Sequence, residues 1–245
     1  MNTHQDIQTD ETGNYIVEVF ESDNPKAVVL CVAGFGMNRY DGHTLFLDVA
    51  NSLPDYTSIL VDLNQVDEGA LTASPLSVQV GRFNKALVQA REYGLPVVLV
   101  GHSMGCIVIS MGQTNGEPTA FLAPAARDIR SKLRQTLLAR PQTVEKPDGS
   151  MLAKRSDGSI TTVPKQFWDE ATDLDLKKLY TQAIHKLPIH LMIAGEDELL
   201  KTETHDILDL PFASQLVIER ADHDFSGEQR AELLRQLHIF LEKVT

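Results

Sequence analysis

The chain has 245 residues, 42% of them hydrophobic and 23% charged, a balance that excludes disordered, collagenous and fibrous proteins and fits one large globular domain with room for an inserted subdomain. At this length folding removes about 70–75% of the unfolded surface from water, so a core forms without help from a metal or a disulfide. With 22 Lys and Arg against 34 Asp and Glu the net charge is −12, which repels phosphate backbones and anionic lipid, so neither nucleic acid nor membrane is an expected partner.

The first ten residues are polar, with no apolar export signal, and no run approaches the roughly 18 apolar residues of a membrane helix. The expectation is a cytoplasmic protein. Residues 6–10 are a candidate edge strand. Residues 15–20 alternate, with Glu18 between Val17 and Val19, and predict an edge strand with one solvated face. Further strands are predicted at 27–32, 57–62, 96–101, 119–122, 189–194 and 215–219. Several are apolar at consecutive positions, as in Val28-Val29-Leu30-Cys31-Val32 and Val97-Val98-Leu99-Val100, which marks strands covered on both faces at the centre of a parallel sheet. Between them, apolar spacings of three and four predict helices over 44–52, 76–93, 104–111 and 228–243. The last carries Leu233, Leu234, Leu237 and Phe240 on one stripe, with Ser226 and Glu228 at its start. Alternation of this kind gives right-handed crossovers over a mostly parallel sheet flanked by helices, the α/β class.

The rhythm breaks over residues 124–186. Turn signals at Lys146-Pro147-Asp148-Gly149 and Ser156-Asp157-Gly158-Ser159 punctuate it, and residues 151–154 and 160–163 flank the second as a hairpin. Its ordinary composition predicts an ordered cap inserted into a core made of residues 1–123 and 187–245. Cys31 and Cys106 lie in apolar runs without metal-ligand spacing and read as buried free thiols.

At the end of the most apolar strand stands Gly101-His102-Ser103-Met104-Gly105, followed by an apolar helix. Gly-x-Ser-x-Gly between a buried strand and a buried helix makes a sharp turn that exposes the serine, and the flanking glycines leave room where side chains would collide. Ser103 is therefore a candidate nucleophile. Gly34-Phe35-Gly36 follows another strand, but Arg39 stands where a dinucleotide fingerprint needs a third glycine.

This layout resembles the α/β-hydrolase superfamily from about residue 15 to the C-terminal helix, and the resemblance implies the chain order nucleophile, acid, histidine. A serine hydroxyl needs a histidine to take its proton and a carboxylate to orient that imidazole. The loop after 189–194 reads Gly195-Glu196-Asp197-Glu198-Leu199-Leu200. The family's usual spacing after the glycine selects Glu198, whereas the Asp-x-Leu-Leu pattern selects Asp197, which is preferred because aspartate is the commoner acid. The loop before the last helix reads Ala221-Asp222-His223-Asp224-Phe225 and offers His223 as general base. The resemblance further implies an oxyanion hole from the backbone N–H groups of Met104 and Phe35, with Gly36 as the fallback, although Ala33 replaces the histidine usually found before Gly34. It implies a substrate pocket near Gly34, Gly36 and His102, walled by Phe167 and Trp168 of the cap. His102 is expected to pack rather than react.

The cap layout is similar to that of bacterial cinnamoyl or feruloyl esterases and, less closely, monoacylglycerol lipases. The expected function is a serine esterase for small, medium or hydroxycinnamoyl esters, working through an acyl-enzyme with no cofactor. A non-catalytic ligand-binding protein on the same fold is the alternative, as is a lipase, thioesterase or amidase with the same triad.

Overall fold

The structure is a computed structural model and describes residues 2–67, 70–126, 129–155, 159–172, 174–198 and 205–245. The chain opens with an antiparallel hairpin, β1 (Asn2–Asp10) and β2 (Gly13–Glu21). There follow β3 (Val28–Val32), α1 (Asp41–Ser52), β4 (Thr57–Val61), β5 (Gln65–Asp67), β6 (Ala70–Thr72), α2 (Leu76–Glu92), β7 (Val97–His102), α3 (Met104–Met111) and β8 (Thr119–Leu122). A π-helical turn at Ile129–Leu133 continues into α4 (Arg134–Leu138), and then come β9 (Val144–Glu145), β10 (Met151–Lys154), β11 (Ile160–Val163), α5 (Lys165–Glu170) and α6 (Leu176–Ile184). The chain closes with β12 (Ile189–Ala194), α7 (His205–Leu208), β13 (Ser214–Ile218) and α8 (Glu228–Val244).

Eight strands form the main sheet in the order β1-β2-β4-β3-β7-β8-β12-β13. The β1–β2 and β2–β4 pairs are antiparallel and the rest are parallel. Consecutive apolar residues in the central strands serve opposite faces. Val28, Leu30 and Val32 of β3 and Leu99 of β7 join a core under α2, α3 and α6, while Val29, Cys31, Val98 and Val100 join a second core under α1 and α8. Each such fully buried side chain is worth about 1.5–3 kcal/mol relative to exposure, so both faces of the sheet centre hold the helices that cover them. In α8 the stripe is Leu233, Leu237, Phe240 and Leu241, with Leu234 only partly buried. Both cysteines are buried and free, and burial pushes their thiol pKa values up.

Three expectations are corrected. β2 is not an edge, because the nine-residue β1 pairs along its outer side. Glu18 is accordingly buried, at 4% exposure, with its carboxylate accepting from Arg39 Nε at 2.9 Å and Tyr40 Oη at 2.7 Å. Period-two reading assigned a charged residue to solvent because its partner lies in a loop 21 residues away. Ser226 does not cap α8: Gly227 holds that position, while the Ser226 N–H and hydroxyl donate to Asp222.

A second sheet, in the order β5-β6-β11-β10-β9, is built from strands before α2 and strands within residues 124–186. The hairpin strands β10 and β11 have the predicted bounds; most of the predicted turn between them falls at residues 156–158, outside the described residues. Strands β5 and β6, three residues each, come from before α2 and were not anticipated. They exist because β11 pairs in parallel with β6, with Thr161 opposite Leu71. Met151, Ala153, Val163, Phe167 and Trp168 pack into the same core as β3 and α3, so residues 151–168 share the main interior. Among the described residues no helix is long and apolar enough to cross a membrane.

Candidate active site

Ser103 lies between β7 and α3 with φ 53° and ψ −118°, a conformation that costs an L-residue about 1–3 kcal/mol and persists only where the surroundings impose it. They do so here. The Ser103 N–H donates to Leu122 O at 2.9 Å, and the Ser103 carbonyl accepts from Ala125 N at 3.1 Å and Cys106 N at 3.2 Å. Glycine is required at 105, because a Cβ there would stand 2.1 Å from Val32 O. The turn thus crosses the sheet top close enough to β3 that only a bare Cα passes.

His223 comes from the loop between β13 and α8. Its Nε2 is 2.9 Å from Ser103 Oγ and its Nδ1 is 2.7 Å from Asp197 Oδ2. Asp197, in the loop after β12, is 4% exposed. An ionised carboxylate only accepts, so the Nδ1–H donates to Asp197, which leaves Nε2 free to accept the serine proton. Glu198 is exposed, and no hydrogen bond to its side chain is found among the described residues. Of the two carboxylates, the one in contact with the His223 ring is that of Asp197. Leu199 and Leu200, which carried part of the pattern selecting it, lie outside the described residues.

Three consecutive carbonyls of the histidine loop each receive a side-chain donor. His102 Nε2 donates to His223 O at 2.9 Å, Arg230 Nη2 to Asp224 O at 2.9 Å, and Arg230 Nε to Phe225 O at 3.1 Å. His102 has no exposed surface, and its ring centroid is 4.9 Å from that of His223. Burial, with the neighbouring His223 adding to it, lowers its pKa to about 4. His102 is therefore a neutral imidazole with its proton on Nε2, packed against the His223 loop. Arg230 was not anticipated, since a charged residue in the first turns of an amphipathic helix looks solvated.

The loop after β3 abuts the nucleophile: a Cβ at Gly34 would stand 3.1 Å from Ser103 Cβ. Phe35 and Gly36 form its turn. Beyond them the loop is pinned by buried polar groups. Asn64 Nδ2 donates to Met37 O at 2.9 Å, the Arg39 N–H donates to Asp62 Oδ1 at 2.7 Å, and the Arg39 guanidinium reaches Asp62 Oδ2 at 2.5 Å as well as Glu18. Burial raises the Glu18 pKa, but hydrogen bonds from Gln5, Tyr40 and Arg39 outweigh it, and the carboxyl sits below its ordinary value. Sequence reasoning noted Arg39 only as a missing glycine. Met104 opens α3, where the first N–H groups of a helix lack partners in a preceding turn.

Of the expected pocket residues, Gly34, Gly36, His102, Phe167 and Trp168 are all buried. Phe35 lies against Phe167 at 5.1 Å and Trp168 at 6.5 Å between ring centroids. Of these three rings only Phe35 remains partly open. Among the described residues nothing hydrogen-bonds the buried Trp168 Nε1. Among the described residues no cluster of histidine, cysteine and carboxylate side chains could hold a metal ion.

A family model described as "Alpha/beta hydrolase family" matches residues 29–236. No curated protein matches the sequence. Many solved structures share the fold. The esterase domain of a Rhodothermus marinus protein superposes with a TM-score of 0.70 at 16% identity, covering 99% of each chain. Est1E from Butyrivibrio proteoclasticus gives 0.69 at 13% identity over 96% of this chain and 97% of its own. A thermostable carboxyl esterase from Bacillus coagulans gives 0.69 at 13% over 100% and 99%.

Proposed function

The chain belongs to the alpha/beta hydrolase family, and from that premise we propose that it is a serine hydrolase cleaving carboxylic esters through an acyl-enzyme. The observation that carries the reading is the unbroken hydrogen-bonded line from Asp197 Oδ2 through the His223 ring to Ser103 Oγ, with distances of 2.7 and 2.9 Å. In the proposed reaction the Ser103 oxygen attacks the ester carbonyl as its proton passes to His223 Nε2, and Asp197 stabilises the imidazolium that forms. The N–H groups of Phe35 and Met104 receive the developing oxyanion. Collapse of the tetrahedral adduct breaks the C–O bond to the alcohol, which leaves with the proton from His223. Water then attacks the acyl-enzyme by the same steps and frees the acid.

For the acyl group we propose small to medium chains or hydroxycinnamoyl groups. The Phe35, Phe167 and Trp168 rings support an apolar, flat substrate portion, and the unpartnered Trp168 N–H offers one donor to an oxygen on it. One solved structure of Est1E holds ferulic acid, at 13% identity to this chain. The fold likeness is consistent with that acyl class and does not select it.

Labelling with a fluorophosphonate probe, alongside hydrolysis of p-nitrophenyl and hydroxycinnamoyl esters, tests the reading. Wild type is expected to label and turn over, and Ser103→Ala to lose both, with kcat down about 10⁶-fold. A folded wild type that hydrolyses esters without labelling would remove the mechanism. Activity peaking on long acyl chains would remove the acyl preference.

A further inference from the structure

Among the residues of the 124–186 segment that surround the Gly34–Gly36 turn, Arg155 brings a charge to its backbone. Arg155 follows β10, and its own N–H donates to Ser159 O at 2.9 Å, which closes the mouth of the β10–β11 hairpin and fixes where the side chain starts. Its Nη1 donates to Gly36 O at 2.5 Å, across 119 residues of sequence. The same hairpin covers Gly36 from another side: a Cβ at 36 would lie 3.4 Å from Thr161 Cγ2 of β11 and 3.8 Å from Leu71 Cδ2 of β6.

Gly36 has φ 58°, and a glycine crosses between positive and negative φ at little cost. Its carbonyl is therefore the freest in the turn unless something holds it, and rotating it swings the adjoining peptide that carries the Gly36 N–H, next to that of Phe35. The next two peptide groups are pinned by Asn64 and Asp62, both from the segment after β4. Gly36 is pinned by a cation from the insert. A charge-assisted hydrogen bond is roughly twice as strong as a neutral one, and this carbonyl belongs to the residue beside the proposed oxyanion donor.

We propose that Arg155 is a positioning residue for the oxyanion-binding turn: by holding Gly36 O it sets the direction of the Phe35 and Gly36 N–H groups, so that the hairpin is a working part of the catalytic centre as well as a cover. The proposal rests on the serine-hydrolase reading above. It also accounts for the turn's support where Ala33 stands in place of the family's usual histidine. Support comes from the far side of the loop, through the insert.

The test compares wild type, Arg155→Gln and Arg155→Lys on a p-nitrophenyl ester and on its thionoester, in which sulfur replaces the carbonyl oxygen. Sulfur is a poor hydrogen-bond acceptor, so an intact oxyanion site favours the oxygen ester. Arg155→Gln is expected to lower kcat about 10-fold with KM changed less than about twofold. The preference for oxygen over sulfur should shrink by a similar factor, and Arg155→Lys should restore part of both. A merely structural arginine would leave the oxygen-to-sulfur preference unchanged. Unchanged kcat and preference in Arg155→Gln, or a loss confined to KM, overturns the proposal while leaving the hydrolase reading intact. A wild type inert toward both ester and probe overturns the reading and the proposal together. Thermal melting of each variant shows whether it folds, and if Arg155→Gln does not, Arg155→Lys must still show reduced preference at unchanged KM for the proposal to stand.

Discussion

The loop carrying His223 and the loop carrying Phe35 both abut Ser103, yet they are anchored by different physics. The histidine loop hangs from neutral and cationic donors in the main core, His102 and Arg230, which satisfy its carbonyls in sequence. The Phe35 loop is tied by a buried ionic network, Glu18, Arg39 and Asp62, and on its other side by Arg155 of the insert. Anchors in the first set come from elements that belong to the parallel sheet and its last helix. Those in the second join three separated segments, so that loop depends on more of the fold being correctly assembled.

The largest expected effect is at the carboxylate that meets His223. Asp197→Asn should keep the fold but leave His223 in the wrong tautomer, lowering kcat about 10⁴-fold, whereas Glu198→Gln should change it less than about threefold because Glu198 is exposed. Equal small losses in steady-state ester hydrolysis would show that the 2.7 Å contact of His223 with Asp197 is without consequence.

Next in size is the Phe35-loop anchor. Asp62 has no exposed surface and accepts from both the backbone and the guanidinium of Arg39. Asp62→Ala should cost about 3 kcal/mol in urea unfolding, because it strips a buried cation of one partner. It should depress kcat as well. Loss of stability with unaltered kcat would separate that network from the chemistry.

Acid should act on the His223 loop before the Phe35 loop. His102 has a folded pKa of about 4 against 6.5 for the free side chain. Between those values the unfolded chain binds a proton that the native state refuses, so stability is complete above about pH 6.5 and falls as pH drops toward 4. Glu18, held below its ordinary value, keeps its contribution until lower pH. The His223 loop should therefore loosen before the Glu18–Arg39 tie. Urea unfolding across this range reads the slope, and His102→Asn should flatten it; an equal slope in the variant would assign the acid sensitivity elsewhere.

Much of the fold was legible because its signals are local. The bounds of α3, β8, β12 and the β10–β11 hairpin follow from apolar runs and turn residues that report their own environment. Ser103 was legible for the same reason, since glycines at 101 and 105 are demanded by a turn within five residues of chain. Glu18, Arg39, Arg155 and Arg230 were not. Each is a charged residue whose burial or partner depends on a segment at least five residues and as many as 187 away, and hydropathy assigns such residues to solvent.

The parallel sheet, the bend that displays Ser103 and the loops that offer an acid and a histidine are written in local patterns, because consecutive apolar residues and paired glycines act over a few positions. That Asp197 rather than Glu198 meets His223, that β1 covers β2 and that Arg155 reaches back to Gly36 emerges only on folding. Those outcomes turn on which side chains meet across the assembled sheet, and hydrogen-bond partners far apart in the chain leave no periodic trace.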